Sequence, residues 1–224
     1  MINFIKTFSP IKICDIGASP IDNTNFIDEL FKNTNSELIG FEPNINEFQR
    51  LKKHNKKKYY NYAIGDGTEK VLNICEAAGM SSFLEPDLDY LKNFHGFEEW
   101  AEIIQKVKVK TKKLSDIQEN IDFLKIDVQG YGSEIINNSQ IKLRDCLAIQ
   151  IETSPTPLYK SEKTFSSTIN QLENVGFNLH MFNKIDTRSF KPTIISKNHY
   201  SGLHHLFQLD CVLIKNLQII KNYN

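Results

Sequence analysis

Four carboxylates in this chain stand where an apolar run gives out: Asp15 in "IKICDIG", Glu42 in "SELIGFEP", Asp127 in "IDFLKIDVQG" and Glu152 in "DCLAIQIET". Any one of them reads as a helix cap or a turn residue. Together they argue for a cleft that binds something polyhydroxylated, cationic or metal-containing. The turn after the first run, "DIGASP", carries Gly17 but lacks the second and third glycines of GxGxxG. Those glycines let a backbone approach a pyrophosphate, so their absence weighs against NAD and FAD. Glu42 lies about 25 residues past Gly17, where an acid holds ribose hydroxyls, and its charge excludes a 2′-phosphate. An acid for ribose without a phosphate loop points to S-adenosylmethionine, whose sulfonium favours an acidic cleft.

Methyl transfer from a sulfonium is an in-line displacement, accelerated mainly by positioning. An aliphatic hydroxyl is a poor nucleophile, so a nearby base helps as the bond forms. Asp127, Glu152, His204 and His205 are the candidates. Strand alternation turns the two histidines to opposite faces, so at most one enters the cleft, and His205 is taken with the two acids. Asp127 with Glu152 could also hold Mg2+, a reading ranked below one without a metal. Asp210, among Leu209, Cys211 and Val212, is expected to be structural and hydrogen-bonded. Ser81 and Ser82 lie in a Gly-led loop that could cover a cofactor.

These residues need strands to carry them. Short apolar runs at 11–17, 36–43, 58–67, 121–128 and 145–153 alternate with amphipathic stretches at 21–33, 44–54, about 131–139 and 162–176. Asn44 is the expected cap of the second helix, with Glu47 completing a capping box, and Gly176 closes the last. Such alternation calls for a mostly parallel sheet covered on both faces, whose carboxyl edge binds the ligand. The runs 177–183 and 203–215 have no helix between them and can pair antiparallel. Strands at 69–77 and 105–114 leave the rhythm, and 79–100 reads as a loop or short helices over one face. Its Phe83, Tyr90, Phe94, Phe97 and Trp100 either pack on a ligand or fill a small separate core.

The chain has 224 residues, with 27 basic and 27 acidic side chains, and so shows no nucleic-acid-binding bias. The lysine runs at 51–58 and 106–113 read as a solvated helix end and an exposed strand face. Four scattered cysteines suggest buried free thiols rather than disulfides or zinc. No apolar run approaches a membrane span and no signal peptide is seen, so a cytoplasmic location is expected. A single domain over 1–224 is expected, with an inserted cover at about 79–105.

The ordered series "ICDIGAS", "LIGFEPN", "NYAIGDGTEKVLNI", "GMSSFLEP", "IDFLKIDVQGYGSEII", "IQIETSPTPLY" and "FQLDCVLIK" resembles the FkbM family of S-adenosylmethionine-dependent methyltransferases. The resemblance implies the class I methyltransferase, Rossmann-like α/β fold, with seven strands, the last antiparallel, and helices on both faces. It implies O-methylation of a hydroxyl on a sugar, glycan or natural product. It implies that Asp15, Gly17 and Ala18 line the methionine end, that Glu42 with Pro43 holds the ribose, and that Ala63 and Ile64, followed by Asp66, lie near the adenine. Ser82 would cover the cofactor, and Asp127 would stand at the reaction centre. One departure is Gly132, where the family pattern has Glu, with Glu134 remaining; it keeps open a domain that binds S-adenosylmethionine without turnover. A nucleotide-dependent oxidoreductase on a similar sheet is the more distant alternative.

Overall fold

In the computed structural model, residues 10–19, 25–51, 56–198, 202–203 and 205–216 are described. His204, weighed above as a base, and the last residue of the quoted turn, Pro20, lie outside them. Strand β1 (Ile11–Ile16) leads to helix α1 (Asn25–Asn33), β2 (Ser36–Phe41), α2 (Ile45–Arg50) and β3 (Lys57–Tyr60). The chain then moves through β4 (Ala63–Ile64), β5 (Glu69–Cys75), the one-turn helices α3 (Leu88–Leu91) and α4 (Phe97–Trp100), and β6 (Ile103–Lys112). It finishes with β7 (Phe123–Ile126), α5 (Gly132–Leu143), β8 (Ala148–Thr153), α6 (Phe165–Asn174), β9 (Phe177–Arg188) and β10 (His205–Lys215).

Seven strands form one sheet in the order β3-β2-β1-β7-β8-β10-β9. All neighbours are parallel except at β10, which runs antiparallel to β8 and β9. This is the class I methyltransferase order. The direction of winding reverses between β1 and β7, and a crevice opens there, at the carboxyl ends of both strands. Alternation along each strand feeds two cores. Cys14, Leu124, Ile149 and Leu213 pack under α5 and α6 with Ile135, Ile136 and Leu172, while Ile13, Leu38 and Phe123 meet Ile27 of α1 on the other face.

The segment 58–67, read as one strand, is two. Tyr62 packs against Phe41 and Tyr60, and Asn61 Nδ2 donates to the carbonyls of Glu42 at 2.8 Å and Pro43 at 3.1 Å. Those bonds bend the chain out of the main sheet after β3. β4 therefore joins a separate three-stranded sheet, β4-β6-β5, on which Lys106, Lys108, Lys110 and Lys112 are exposed.

The segment 79–100 divides. Leu91, Phe94 and Phe97 are buried with Leu158, Tyr159 and Phe207 in a core of their own, whereas Ser81 to Phe83 face the crevice. Helix α5 runs past the expected residue 139 to Leu143, which is fully buried. The four cysteines are free and buried, although Cys146 precedes β8 rather than lying within it. Among the described residues no helix is long and apolar enough to cross a membrane.

Candidate functional site

The turn between β1 and α1 and the turn between β7 and α5 meet at the crevice. Gly17 has φ +81°, and a Cβ there would lie 1.8 Å from the Asp127 carbonyl oxygen, so no other residue fits the contact. Its N–H and that of Ala18 both donate to the Phe41 carbonyl, tying the turn to β2. On the β7 side, Gln129 and Gly130 both have positive φ, 51° and 82°. For Gln129 this is a strained conformation, sustained only where the surroundings fix it. They do so on three sides. Ser82 Oγ donates to its carbonyl at 2.6 Å, its Nε2 donates to Asp127 Oδ1 at 3.4 Å, and the Tyr159 hydroxyl lies 3.1 Å from its Oε1.

A cavity of about 90 Å³ opens between these turns, β2 and the 78–83 loop. Gly17, Glu42, Pro43, Ala63, Ile64, Ser82 and Asp127 line it. Phe83, expected to pack on a ligand or fill a separate core, and Gln129 also line it, as do Phe41, Glu47, Leu72 and Tyr131, which were not named as site residues from sequence. Glu42 is 6% exposed, and its Oε1 accepts the Asn44 N–H at 2.7 Å. Burial, opposed by that hydrogen bond and reinforced by the charge of Glu47, pushes its carboxyl up to about 7. Asn44 caps α2 as expected, accepting from the Asn46 N–H. The expected capping box does not form: the Asn44 N–H goes to Glu42, and Glu47 pairs with Arg50 instead.

Lys125 is the residue that sequence reasoning passed over. It lies on the central strand, 2% exposed, with Nζ 3.0 Å from Asp127 Oδ2 and 3.7 Å from Asp15 Oδ1. A lysine flanked by Leu124 and Ile126 on a central strand was itself the signal, because such a cation must be paired. Asp15 lies beneath the cavity rather than on its lining. Its carboxyl is raised by burial, with Lys125 acting against the shift.

The remaining candidates spread along the carboxyl edge. Ile126 pairs with Ile151, so the ladder carried one residue on sets Asp127 beside Glu152, which pairs with Asp210, which pairs with Lys184. Asp210 is half-buried and, contrary to expectation, makes no side-chain hydrogen bond among the described residues. Burial and the charge of Asp127 push it up to about 6. His205 stands away from the cavity lining, its Nε2 2.9 Å from the Tyr90 hydroxyl and its ring against Phe94 and Phe190. Asp66 is a turn residue that accepts from Thr68 and pairs with Lys70 at 2.7 Å, which holds its carboxyl well below the usual range. Ala18 contributes its N–H to the turn and does not line the cavity. Among the described residues no group of three or more His, Cys, Asp or Glu side chains is arranged to hold a metal ion.

A family model described as the methyltransferase FkbM domain matches residues 15–179. No curated protein matches. Among solved structures, a methyltransferase FkbM from Methylobacillus flagellatus KT is similar over 92% of this chain at 10% identity, with a TM-score of 0.45; this chain spans 43% of its length. A magnesium protoporphyrin IX methyltransferase from Synechocystis PCC 6803, solved with bound SAM, is similar over 96% of this chain and 76% of its own, at 8% identity and a TM-score of 0.46. An S-adenosylmethionine-dependent methyltransferase from Mesorhizobium loti is similar over 92% of both chains, at 12% identity and a TM-score of 0.47.

Proposed function

The chain belongs to the methyltransferase FkbM domain family, and on that premise we propose that it O-methylates a hydroxyl of a sugar, glycan or natural-product acceptor, using S-adenosylmethionine. The single observation that carries the reading is the cavity at the β1–β7 crevice, where Glu42 and Asp127 share one lining with Gly17. Its residues fit a nucleoside without phosphates. Ala63, Ile64, Leu72 and Phe83 supply apolar walls, Glu42 and Glu47 supply acceptors, and no lysine or arginine among the described residues lines it. When bound, the cofactor supplies a methyl group activated by its sulfonium.

The chain's own groups then have separable tasks. Glu42 accepts from the ribose hydroxyls. Ala63, Ile64 and Phe83 hold the base between apolar surfaces. Asp127, fixed by Lys125 and Gln129, orients the acceptor hydroxyl or takes its proton, and Glu152 continues the same edge. His205 is retained as a third candidate base, reached from the cover side. The segment at about 79–105 serves as the cover within one catalytic domain spanning 1–224. Gly132 does not by itself weigh against turnover. A Cβ there would lie 3.0 Å from Ile151 Cδ1 and 3.3 Å from Ile126 Cγ2, so a side chain on this backbone would point into the core, away from the cavity. Its replacement of the family's Glu therefore removes nothing from this site.

Calorimetric titration with S-adenosylhomocysteine and with NAD, followed by labelled methyl transfer to a panel of hydroxylated acceptors, tests the reading. Binding of S-adenosylhomocysteine and label on an acceptor oxygen are expected. Tighter binding of NAD would overturn the class, and label on nitrogen or carbon would overturn O-methylation.

A further inference from the structure

β9 is the last strand of the main sheet. β10 pairs with one of its edges, and among the described residues no strand pairs with the other. Natural sheets guard such an edge with a bulge, a proline, an unpaired charge or a covering element. β9 uses the first device in its first half, where His180 and Asn183 are extra residues against β10. From Lys184 to Arg188 it carries no such extra residue and no proline. Nothing covers this stretch at its start, since Ile185 is 52% exposed. Its charges do not guard it either. Lys184 Nζ lies 3.0 Å from Asp186 Oδ2, so the two neutralise each other on the strand itself. Arg188 is turned inward over the rings of Phe97 and Phe207. The surface around it is apolar: Met181, Phe182, Phe190 and Leu206 are each more than 40% exposed, and grouped exposure of this kind marks contact surfaces.

We propose that the Lys184–Arg188 edge of β9 is an interface with a second copy of this chain, paired antiparallel about a two-fold axis at Ile185. The charge pattern selects that occupant. Residues opposite one another in an antiparallel pair interact directly, and like charges there destabilise it. With Ile185 facing its own copy, Lys184 meets the second copy's Asp186 and Asp186 meets the second copy's Lys184, so the contact is complementary to itself, as a two-fold interface requires. An axis moved to Lys184 would set lysine against lysine. An axis moved to Asp186 would set aspartate against aspartate. The pairing joins two seven-stranded sheets edge to edge, satisfies the open backbone groups of β9 and takes Ile185 out of water. It does not depend on the methyltransferase reading.

Sedimentation equilibrium of the full chain, with crosslinking of cysteine variants, tests this. The wild type should form a concentration-dependent dimer. Lys184→Asp sets like charges opposite at two places and should raise the dimer Kd about tenfold. Adding Asp186→Lys reverses both charges, restores complementarity and should restore the wild-type Kd. Opposite residues in an antiparallel pair have Cα atoms about 4.5–5.5 Å apart, within reach of a disulfide. Ile185→Cys should therefore crosslink to its own copy on mild oxidation, and Asn183→Cys, displaced along the strand, should not. The four native cysteines are buried and leave the background low. A chain that stays monomeric at every concentration would overturn the proposal. A dimer indifferent to Lys184→Asp, or one crosslinked through Asn183→Cys and not through Ile185→Cys, would place the contact elsewhere and overturn it as well.

Discussion

Lys125 Nζ sits 3.0 Å from Asp127 Oδ2, with both side chains under a tenth exposed. This ion pair sits where the two halves of the sheet meet, and its lysine also approaches Asp15 at 3.7 Å. Asp127 reaches the cavity already anchored, and the anchor comes from its own strand two residues earlier. Lys125→Met would leave two carboxylates buried without a cation. Removing one partner of a buried pair costs on the order of 3–5 kcal/mol, and urea unfolding should show a loss of that size. Asp15→Asn added to Lys125→Met should restore part of it. Unchanged stability of the single variant would mean that the pair does not hold the site.

Tyr159 is fully buried, and its hydroxyl hydrogen is shared between Gln129 Oε1 at 3.1 Å and the Met80 carbonyl at 3.2 Å. It joins the 78–83 loop to the strained turn. Tyr159→Phe leaves both acceptors short of a donor, at a cost of about 1–3 kcal/mol, and frees Gln129 to relax. The expected outcome is a lower unfolding midpoint together with weaker binding of S-adenosylhomocysteine. A loss of stability with affinity untouched would confine Tyr159 to packing.

Glu42 titrates near 7 because it is buried, which fixes the sign of two pH effects. The folded value lies above the ordinary carboxylate value, so its contribution to stability is fully present below about 4.5 and is lost as pH rises through 7. Asp210, raised to about 6, adds the same trend. Ligand-free protein should therefore melt at a lower temperature at pH 8 than at pH 5.5, and Glu42→Gln with Asp210→Asn should flatten the fall. Binding runs the other way. Hydroxyl donors prefer the carboxylate, so affinity for S-adenosylhomocysteine should climb as pH approaches 7 and level above it, with a proton released to buffer below 7. Glu42→Ala should cost about 1.5–3 kcal/mol of that affinity; an unchanged affinity would remove Glu42 from the ribose.

What sequence made legible follows from where each residue gets its environment. Strand-ending acids and the single-glycine turn depend on neighbours along the chain, and the place of Asp127, Glu42 and Gly17 on the cavity lining was readable for that reason. Lys125 carried its own warning, a cation inside an apolar strand, yet its partner on β1 appears only once β1 and β7 are paired. Glu47 was misread because the capping rule is local, whereas the competing acceptor, Glu42, reaches the Asn44 N–H from before the helix. Tyr159 and Gln129 meet across 30 residues of sequence, beyond any periodic pattern. Asp66 has the mirror fault: it stands beside the right strand, but its partners Thr68 and Lys70 are local and keep it at the turn.

The proposed reaction turns on Asp127. Its Oδ2 accepts from Lys125 and its Oδ1 from Gln129 at 3.4 Å, so the carboxyl plane is set before any acceptor arrives. That arrangement suits orientation of a hydroxyl, and the long Gln129 bond leaves Oδ1 free to exchange one donor for another. Asp127→Asn keeps the shape while removing the charge and half of the accepting capacity. Affinity for S-adenosylhomocysteine should change little, because Glu42 and the apolar walls carry it. Turnover with an acceptor found by the labelled screen should fall by about 10²-fold or more. Excess chelator should leave wild-type activity unchanged; a loss that Mg2+ restores would reassign Asp127 and Glu152 as metal ligands. Circular dichroism and the unfolding midpoint of Asp127→Asn separate chemistry from folding. If the variant unfolds readily while its folded fraction turns over at the wild-type rate, Asp127 serves only to neutralise Lys125, and the base must be sought at Glu152 or His205.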